Sequence, residues 1–249
     1  MKKSVPYNEL AWPGVKKALA GRWLILPFGS MEQHGPHLPL GTDTVLAGHM
    51  AREVAAEIGG VTAPAMEYGG RSLPNSGGGP GYPGGVFFPG KTLIDMYERL
   101  IHGYIQNGAE KILLVNAHWE NEAFLFEALE RAREKKYLES SKIVAASWWN
   151  LVSEKEALDI FGFFPGWSAE HAGQAETALM LAYAPEQVRF EKALDHKGHI
   201  PEGIYKYPVP KSWTGTNGVL SSTTHVKPEM GKRLSEIIKS RFIALLEDD

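Results

Sequence analysis

The sequence has no cysteine, so disulfide bonds and thiolate metal sites are both excluded. It has no excess of basic residues either: 26 Lys and Arg stand against 29 Asp and Glu, which argues against a nucleic-acid-binding protein. No apolar run approaches the roughly 20 residues that cross a bilayer, and no secretory signal follows the basic start at Met1–Ser4. These absences predict a cytoplasmic protein without nucleic-acid or membrane partners, with one domain over residues 1–249.

Apolar runs of strand length alternate along the chain with segments of helical pattern. We expect strands at 22–28, 61–66, 111–117 and 142–149, and helices at 44–58, 92–107, 121–137, 170–183 and 228–246. This alternation favours an α/β domain with a mainly parallel sheet. Binding sites in such sheets form outside the carboxyl ends of the strands.

Residues 69–90 contain nine glycines and four prolines, so this segment cannot be regular structure. It is either a long surface loop or a shaped loop whose backbone approaches a ligand, and the sequence leaves both readings open. Residues 79–84 formally match the glycine fingerprint of dinucleotide-binding proteins. We reject that match, because two prolines remove amide donors that the phosphates need and no strand-to-helix turn surrounds it.

Two short clusters of potential metal ligands follow expected strands. Glu32 and His34 come after the strand at 22–28, and His118 and Glu120 after the strand at 111–117. Residues two apart in an extended segment point to the same side, so each pair can face one point. Asp43 lies between the clusters, before a helix, where its simplest role is an N-cap. Taken together, the five residues predict a site for zinc, manganese or iron(II).

The charge of this cluster favours two metal ions over one. Three carboxylates around one divalent ion leave a net negative charge, whereas around two ions they leave a single positive charge. A bridging hydroxide cancels that charge, and metal binding lowers the pKa of water enough to form it at neutral pH. Hydrolysis is therefore the expected chemistry.

A third polar motif lies at the expected start of a later helix and contains Glu170, His171 and Glu176. A histidine there could move protons, since its unperturbed pKa is about 6.5. On spacing alone, helix capping and surface charge account better for all three residues. Core packing likewise accounts best for Trp149 and Trp167, although a flat ring could stack between two tryptophans.

At these residues the sequence resembles the creatininase (creatinine amidohydrolase) family, over nearly the whole chain. The matching stretches are Pro27–Leu40 with Asp43, Ser76–Gly79, Asn116–Asn121, the Trp149 region, Glu170–Gly173, Glu176–Thr177 and Gly218–Ser222. Creatininase has tyrosine where Trp119 stands and aspartate where Ser168 stands. Other members of the family hydrolyse formylated amines and a cyclitol-derived ketone.

The resemblance implies a three-layer α/β fold, a site with two zinc or manganese ions, and a homohexamer. One ion would be held by Glu32, Asp43 and His118, and the other by His34, Asp43 and Glu120. His171 matches the proton-transferring histidine of the family. The positions around the substrate would be Ser76, Trp119, Trp149 and Trp167.

Our hypothesis from the sequence is therefore a metal-dependent hydrolase of a small cyclic amide, creatinine to creatine. A metal-bridging hydroxide attacks the ring carbonyl, His171 passes a proton to the departing nitrogen, and Glu120 is essential for turnover. Hydrolysis of a formamide or a cyclitol-derived ketone is the alternative within the family. A non-catalytic metal-binding protein and a dinucleotide-dependent oxidoreductase are alternatives from other classes.

Overall fold

A parallel five-stranded sheet forms the centre of the protein. The computed structural model describes residues 4–196, 200–201 and 203–247. The strands are β1 (Val5–Pro6), β2 (Trp23–Phe28), β3 (Val61–Thr62), β4 (Lys111–Asn116) and β5 (Lys142–Ser147). Their order across the sheet is β1-β3-β2-β4-β5, and every neighbouring pair is parallel.

Helices connect the strands and cover the sheet. They are α1 (Val15–Leu19), α2 (Thr42–Ile58), α3 (Gly90–Gln106), α4 (Asn121–Glu134), α5 (Glu154–Phe161), α6 (Gln174–Tyr183), α7 (Lys211–Thr214) and α8 (Pro228–Glu247). None of the helices formed by the described residues has the length and apolar composition needed to span a lipid bilayer.

The two faces of the sheet bury different side chains, because successive residues of a strand point to opposite sides. On one face, Ile25, Leu113 and Val115 pack against α2, α5, α6 and α8. On the other, Leu24 and Leu114 pack against α1, α3 and α4. The result is a helix–sheet–helix arrangement, which confirms the expected α/β fold with three layers.

The strand register aligns the ends of the central strands. Phe28 of β2 pairs with Asn116 of β4, and Asn116 pairs with Ser147 of β5. The segments that follow these three residues therefore leave the sheet side by side. This alignment brings the two ligand clusters of the sequence to the same edge.

Several boundaries differ from the sequence expectation. The strand expected at 61–66 is regular only over Val61–Thr62, and β5 ends at Ser147 because Trp148 and Trp149 begin a 3-10 turn. The helix expected from residue 170 begins at Gln174, since Ala172 just before it has a positive φ of 49°. The sequence expectation also omitted α5, although Ser153 and Glu156 form a capping box at its start.

Candidate metal centre

Five buried side chains meet at the carboxyl edge of the sheet. They come from the segment after β2, the first turns of α2 and α6, and the segment after β4. Each is at most 7% exposed. The five residues are Glu32, His34, Asp43, His118 and Glu176.

Asp43 stands between the two buried histidines. One carboxylate oxygen, Oδ1, lies 2.9 Å from Nε2 of His34, and the other, Oδ2, lies 3.0 Å from Nδ1 of His118. Asp43 lies in the first turn of α2, where the helix dipole favours a negative charge. Its two oxygens can therefore serve two different cations.

His118 turns its two ring nitrogens towards different partners. Nδ1 faces Asp43 and also Oε1 of Glu32, at 3.0 Å. Nε2 lies 3.1 Å from the carbonyl oxygen of Gly70 and 3.3 Å from Oε2 of Glu120. A carbonyl behind the ring is the usual second partner of a metal-binding histidine, because it fixes the tautomer and leaves the other nitrogen free to bind.

His34 repeats this arrangement on the other side of Asp43. Its Nε2 lies 3.7 Å from Oε2 of Glu176, in addition to its contact with Asp43. Its Nδ1 lies 3.3 Å from the carbonyl oxygen of Glu32. The second group therefore consists of His34, Asp43 and Glu176, whose ligand atoms lie within 4.8 Å of one another.

Glu120 occupies a different place from the one that the resemblance implied. It lies beside Nε2 of His118 and within a group formed with Glu32, not beside His34. Its Oε1 accepts hydrogen bonds from the hydroxyl of Ser76 and, at 3.2 Å, from the backbone N–H of Leu73. Glu176 takes the position at His34 where Glu120 was expected.

Glu176 was not expected as a ligand, because its spacing alone suggested a helix cap. The sequence nevertheless contained a signal for a metal ligand here, because Glu170, His171 and Glu176 place carboxylates and an imidazole together at a helix start. What the spacing could not show is that the first turn of α6 points into the edge of the sheet. Residues 174–180 of this helix are all buried, so the carboxylate of Glu176 is enclosed there.

The donor set fits divalent metal ions. Nε2 of His34 and Oδ2 of Asp43 are buried and make no hydrogen bond of good geometry within the described residues, although charged partners are close. Such close contacts without hydrogen-bond geometry are expected where lone pairs converge on a cation. Imidazole nitrogen and carboxylate oxygen suit zinc and manganese.

Protonated histidines balance the carboxylates when no cation is bound. Burial disfavours the charged form of His34, but the carboxylates of Asp43 and Glu176 outweigh it and raise its pKa well above 6.5. Burial also opposes the charge of His118, but Glu32 and Glu120 raise its pKa in the same way. Burial likewise opposes ionisation of Glu32, yet the nearby imidazoles, His118 foremost, lower its pKa. Metal ions would displace these protons, because ligand histidines bind in neutral form.

A cleft opens above these groups and is walled by aromatic side chains. The walls include Trp119, Trp149 and Trp167, and Ser76 and His171 lie at the same cleft. Trp119 stacks on Trp149 with ring centroids 5.3 Å apart and an interplanar angle of 24°. The structure thus brings all the sequence-predicted substrate positions to the opening above the ligand groups.

The glycine-rich segment 69–90 contributes directly to this site. It supplies the carbonyl of Gly70 to His118 and the hydroxyl of Ser76 to Glu120. Gly77 has a φ of +88°, and a Cβ there would lie 3.0 Å from Cδ2 of His171. Only glycine therefore fits between this loop and the histidine. Residues 70–77 therefore form part of the wall of the site.

Comparison with known proteins identifies the family. The family model described as creatinine amidohydrolase matches residues 8–246. The chain belongs to the creatininase family. It is 34% identical over 245 residues to the creatinine amidohydrolase of Pseudomonas putida, covering 95% of this chain and 94% of that protein. Creatininases are hydrolases, so the enzyme class expected from the sequence is confirmed.

Solved creatininase structures share the whole fold. A creatinine amidohydrolase structure superposes with a TM-score of 0.90 at 32% identity, covering 98% of this chain and 97% of the other. Related creatininase structures with the same TM-score are described as a manganese form and a Zn–Zn form. A more distant relative is the 3-dehydro-scyllo-inosose hydrolase of Thermotoga maritima, 31% identical over 72% of this chain and 57% of that protein. Proteins similar to this chain are therefore named for more than one class of substrate.

Proposed function

We propose that this creatininase-family protein hydrolyses creatinine to creatine with two divalent metal ions. The observation that carries the proposal is a pair of ligand groups that share Asp43, placed below a cleft with tryptophan walls. A planar cyclic amide fits such walls, since flat rings stack well on indole. The similar Pseudomonas protein is named for this substrate.

We assign the two metal positions to these two ligand groups. Glu32, Asp43 and His118 would hold one ion, and His34, Asp43 and Glu176 the other. Zinc and manganese both suit these donors, as in the solved relatives. Bound there, the ions supply an activated water molecule and polarisation of the substrate carbonyl.

Two further side chains border the cleft and can move protons. Hydrolysis adds water across the ring C–N bond, so one proton must pass from the water to the departing nitrogen. His171 directs Nδ1 towards Glu32, at 3.7 Å from Oε1, and Glu120 is held in place by Ser76 and Leu73. We assign His171 and Glu120 to this transfer. Burial of the centre keeps bulk water away from it.

The tryptophans are assigned to substrate enclosure. Trp149 is only 6% exposed and stacks on Trp119, whereas Trp167 closes the wall through an edge contact with Trp148 at 5.3 Å. Ser76 completes the substrate positions through its contact with Glu120. Trp149→Phe should therefore raise KM for creatinine, with Trp12→Phe as a matched control at an 87% exposed position.

The direct test is an assay of the zinc- or manganese-loaded protein with creatinine, following the formation of creatine. A parallel panel contains a formamide and a cyclitol-derived ketone, because a related enzyme from Thermotoga acts on 3-dehydro-scyllo-inosose. We expect turnover of creatinine and much weaker turnover of the panel. Activity on the panel with none on creatinine would transfer the assignment to the alternative substrate class.

We also propose a homohexamer in a reducing cytoplasm. The exposed apolar run Val86, Phe87 and Phe88, together with Tyr68, supports burial against other subunits. The absence of cysteine is consistent with a reducing compartment. Light scattering of the purified protein tests the assembly, and fractionation of the source cells tests the location.

A further inference from the structure

Gln33 lies between the ligands Glu32 and His34 in sequence, and its side chain points away from them. It is buried, at 8% exposure. Its amide nitrogen Nε2 lies 2.7 Å from Nε2 of His171, 2.9 Å from the carbonyl oxygen of Gly77 and 3.1 Å from that of Gly218. One amide group therefore contacts the back of His171 and two loops of the site.

The hydrogen-bond network determines which end of the Gln33 amide faces His171. The backbone N–H of Gly35 donates to Oε1 of Gln33 at 2.8 Å, and a backbone N–H can only donate. Nε2 is therefore the atom that faces His171, and an amide NH2 group has no acceptor capacity. A hydrogen on Nε2 of His171 would point at another donor at 2.7 Å. Nε2 of the imidazole therefore carries no hydrogen, and it shares the two amide hydrogens with the carbonyl oxygens of Gly77 and Gly218.

If Nε2 of neutral His171 accepts, its hydrogen is on Nδ1. That nitrogen faces the ligand groups, 3.7 Å from Oε1 of Glu32, with the ring of His34 at a centroid distance of 4.7 Å. We propose that Gln33 is a positioning residue, which holds His171 with Nδ1–H directed into the reaction site. His171 thus meets the substrate as a hydrogen-bond donor, which would stabilise an oxygen or nitrogen atom that gains negative charge during hydrolysis. In the proton transfer assigned above, Glu120 therefore takes the proton of water, and Nδ1–H of His171 faces the departing nitrogen.

The assignment of the His171 tautomer depends on the hydrogen bonds alone. The effect of Gln33 on catalysis, by contrast, rests on the proposed function. A purely structural role for Gln33 is the competing explanation, because its amide also ties Gly77 and Gly218 together. The experiments must therefore separate an effect through His171 from an effect on these loops.

The first experiment measures the tautomer directly. Zinc-loaded protein labelled with 15N-histidine gives separate ring-nitrogen resonances, and the His171→Ala variant identifies those of His171. We expect Nδ1 to carry the hydrogen and Nε2 to be unprotonated. A hydrogen found on Nε2 in the wild-type protein overturns the proposal, whether or not creatinine is the substrate.

The second experiment uses the near-isosteric substitution Gln33→Met in the metal-loaded protein. We expect kcat for creatinine to fall about 10- to 100-fold, the usual loss for partners behind a functional side chain, with KM changed by less than about twofold. The matched control is Gln187→Met, at an exposed position outside the site, with unchanged kinetics.

Combining Gln33→Met with His171→Ala separates the two explanations. If Gln33 acts through His171, the methionine substitution lowers kcat by less than about twofold once the imidazole is absent. If it acts through the loops, the full loss remains in the double variant, and the proposal is overturned. Absence of creatinine turnover in the wild-type protein contradicts the proposed function instead, and the NMR result still decides the tautomer.

Discussion

Two buried acidic regions of this protein balance their charge in opposite ways. On α3, Glu98 is 1% exposed and pairs with Arg131 at 3.0 Å and Lys135 at 2.5 Å. Both partners are cationic side chains that reach solvent, 33% and 43% exposed. At the sheet edge, the carboxylates face histidines instead, which carry charge only when protonated.

The difference separates a structural ion pair from a site prepared for a ligand. The Glu98 carboxylate is paired with cations that belong to the protein, so removing it should affect stability and nothing else. The centre around Asp43 reaches charge balance through protons that a divalent cation can replace. The same residue type therefore has different roles, depending on whether its partner is a fixed cation or an imidazole.

The largest expected effect comes from Asp43→Asn. This substitution weakens the residue that both ligand groups share, so both ions should bind more weakly and turnover should fall by more than about 100-fold. Metal analysis after gel filtration and a creatinine assay on the same sample measure the two effects. Retention of two ions at wild-type affinity would show that the two sites do not share Asp43.

Glu176→Gln is expected to affect one ligand group more than the other. His34 and Asp43 lose a carboxylate partner, whereas Glu32 and His118 keep theirs. The metal content should fall from two ions towards one per chain, with an activity loss of about 10- to 100-fold. Isothermal titration calorimetry of the metal-free variant with zinc resolves the two binding steps. Unchanged stoichiometry together with full activity would remove Glu176 from the proposed ligand set.

Glu98→Gln should alter stability alone. The loss of its charged hydrogen bond with Lys135 and its ion pair with Arg131 should lower the free energy of unfolding by about 1–3 kcal/mol, as measured by urea denaturation. Metal content and kcat should equal those of the wild type, because Glu98 belongs to the other acidic region. A change in metal binding would contradict the separation between the two regions.

The last prediction concerns the pH dependence of stability at Glu170, next to His171. Burial raises its pKa to about 8, although Ala175 N–H and the Ser221 hydroxyl donate to its carboxylate. The folded state thus keeps a proton that the unfolded chain loses near its ordinary pKa of 4.5. Stability contributed by this proton is complete below pH 4.5 and is lost as pH rises towards 8, by at most about 1.4 kcal/mol per pH unit.

The Glu170→Gln variant lacks this titrating group, so the stability of the variant should depend less on pH than that of the wild-type protein. Urea denaturation of the metal-free protein at pH 5, 6, 7 and 8 compares the two slopes, and metal removal excludes charge effects of bound ions. Equal slopes would show that Glu170 is already ionised at pH 5.

The fold was largely predictable because its signals are local. Apolar runs such as Leu24–Phe28 and Ile112–Val115 lie on the strands where periodicity placed them. Boundaries were less predictable where tertiary contacts decide them. Trp148 and Trp149 look like strand residues by composition, but their side chains pack into the core and the tryptophan wall, and the backbone turns at Ser147.

The site was predictable in part for the same reason. The strands β2 and β4 pair in register, and they are followed by Glu32 and His34 in one case and by His118 in the other. The convergence of these three residues therefore follows from the parallel sheet. Glu176 and Gln33 could not be assigned from spacing. Their roles depend on the direction in which α6 meets the sheet and on a hydrogen bond to a residue 138 positions away.

The sequence by itself determined the alternation of strands and helices, the ligand types available, the exclusion of thiolate chemistry and the resemblance to creatininases. Tertiary structure alone decided which carboxylate stands beside which histidine. Periodicity specifies the face on which a side chain lies, whereas distances between residues far apart in the chain are set by how the layers pack. The partner of His34 is therefore Glu176 of α6, because the packing of α6 carries its first turn to the sheet edge.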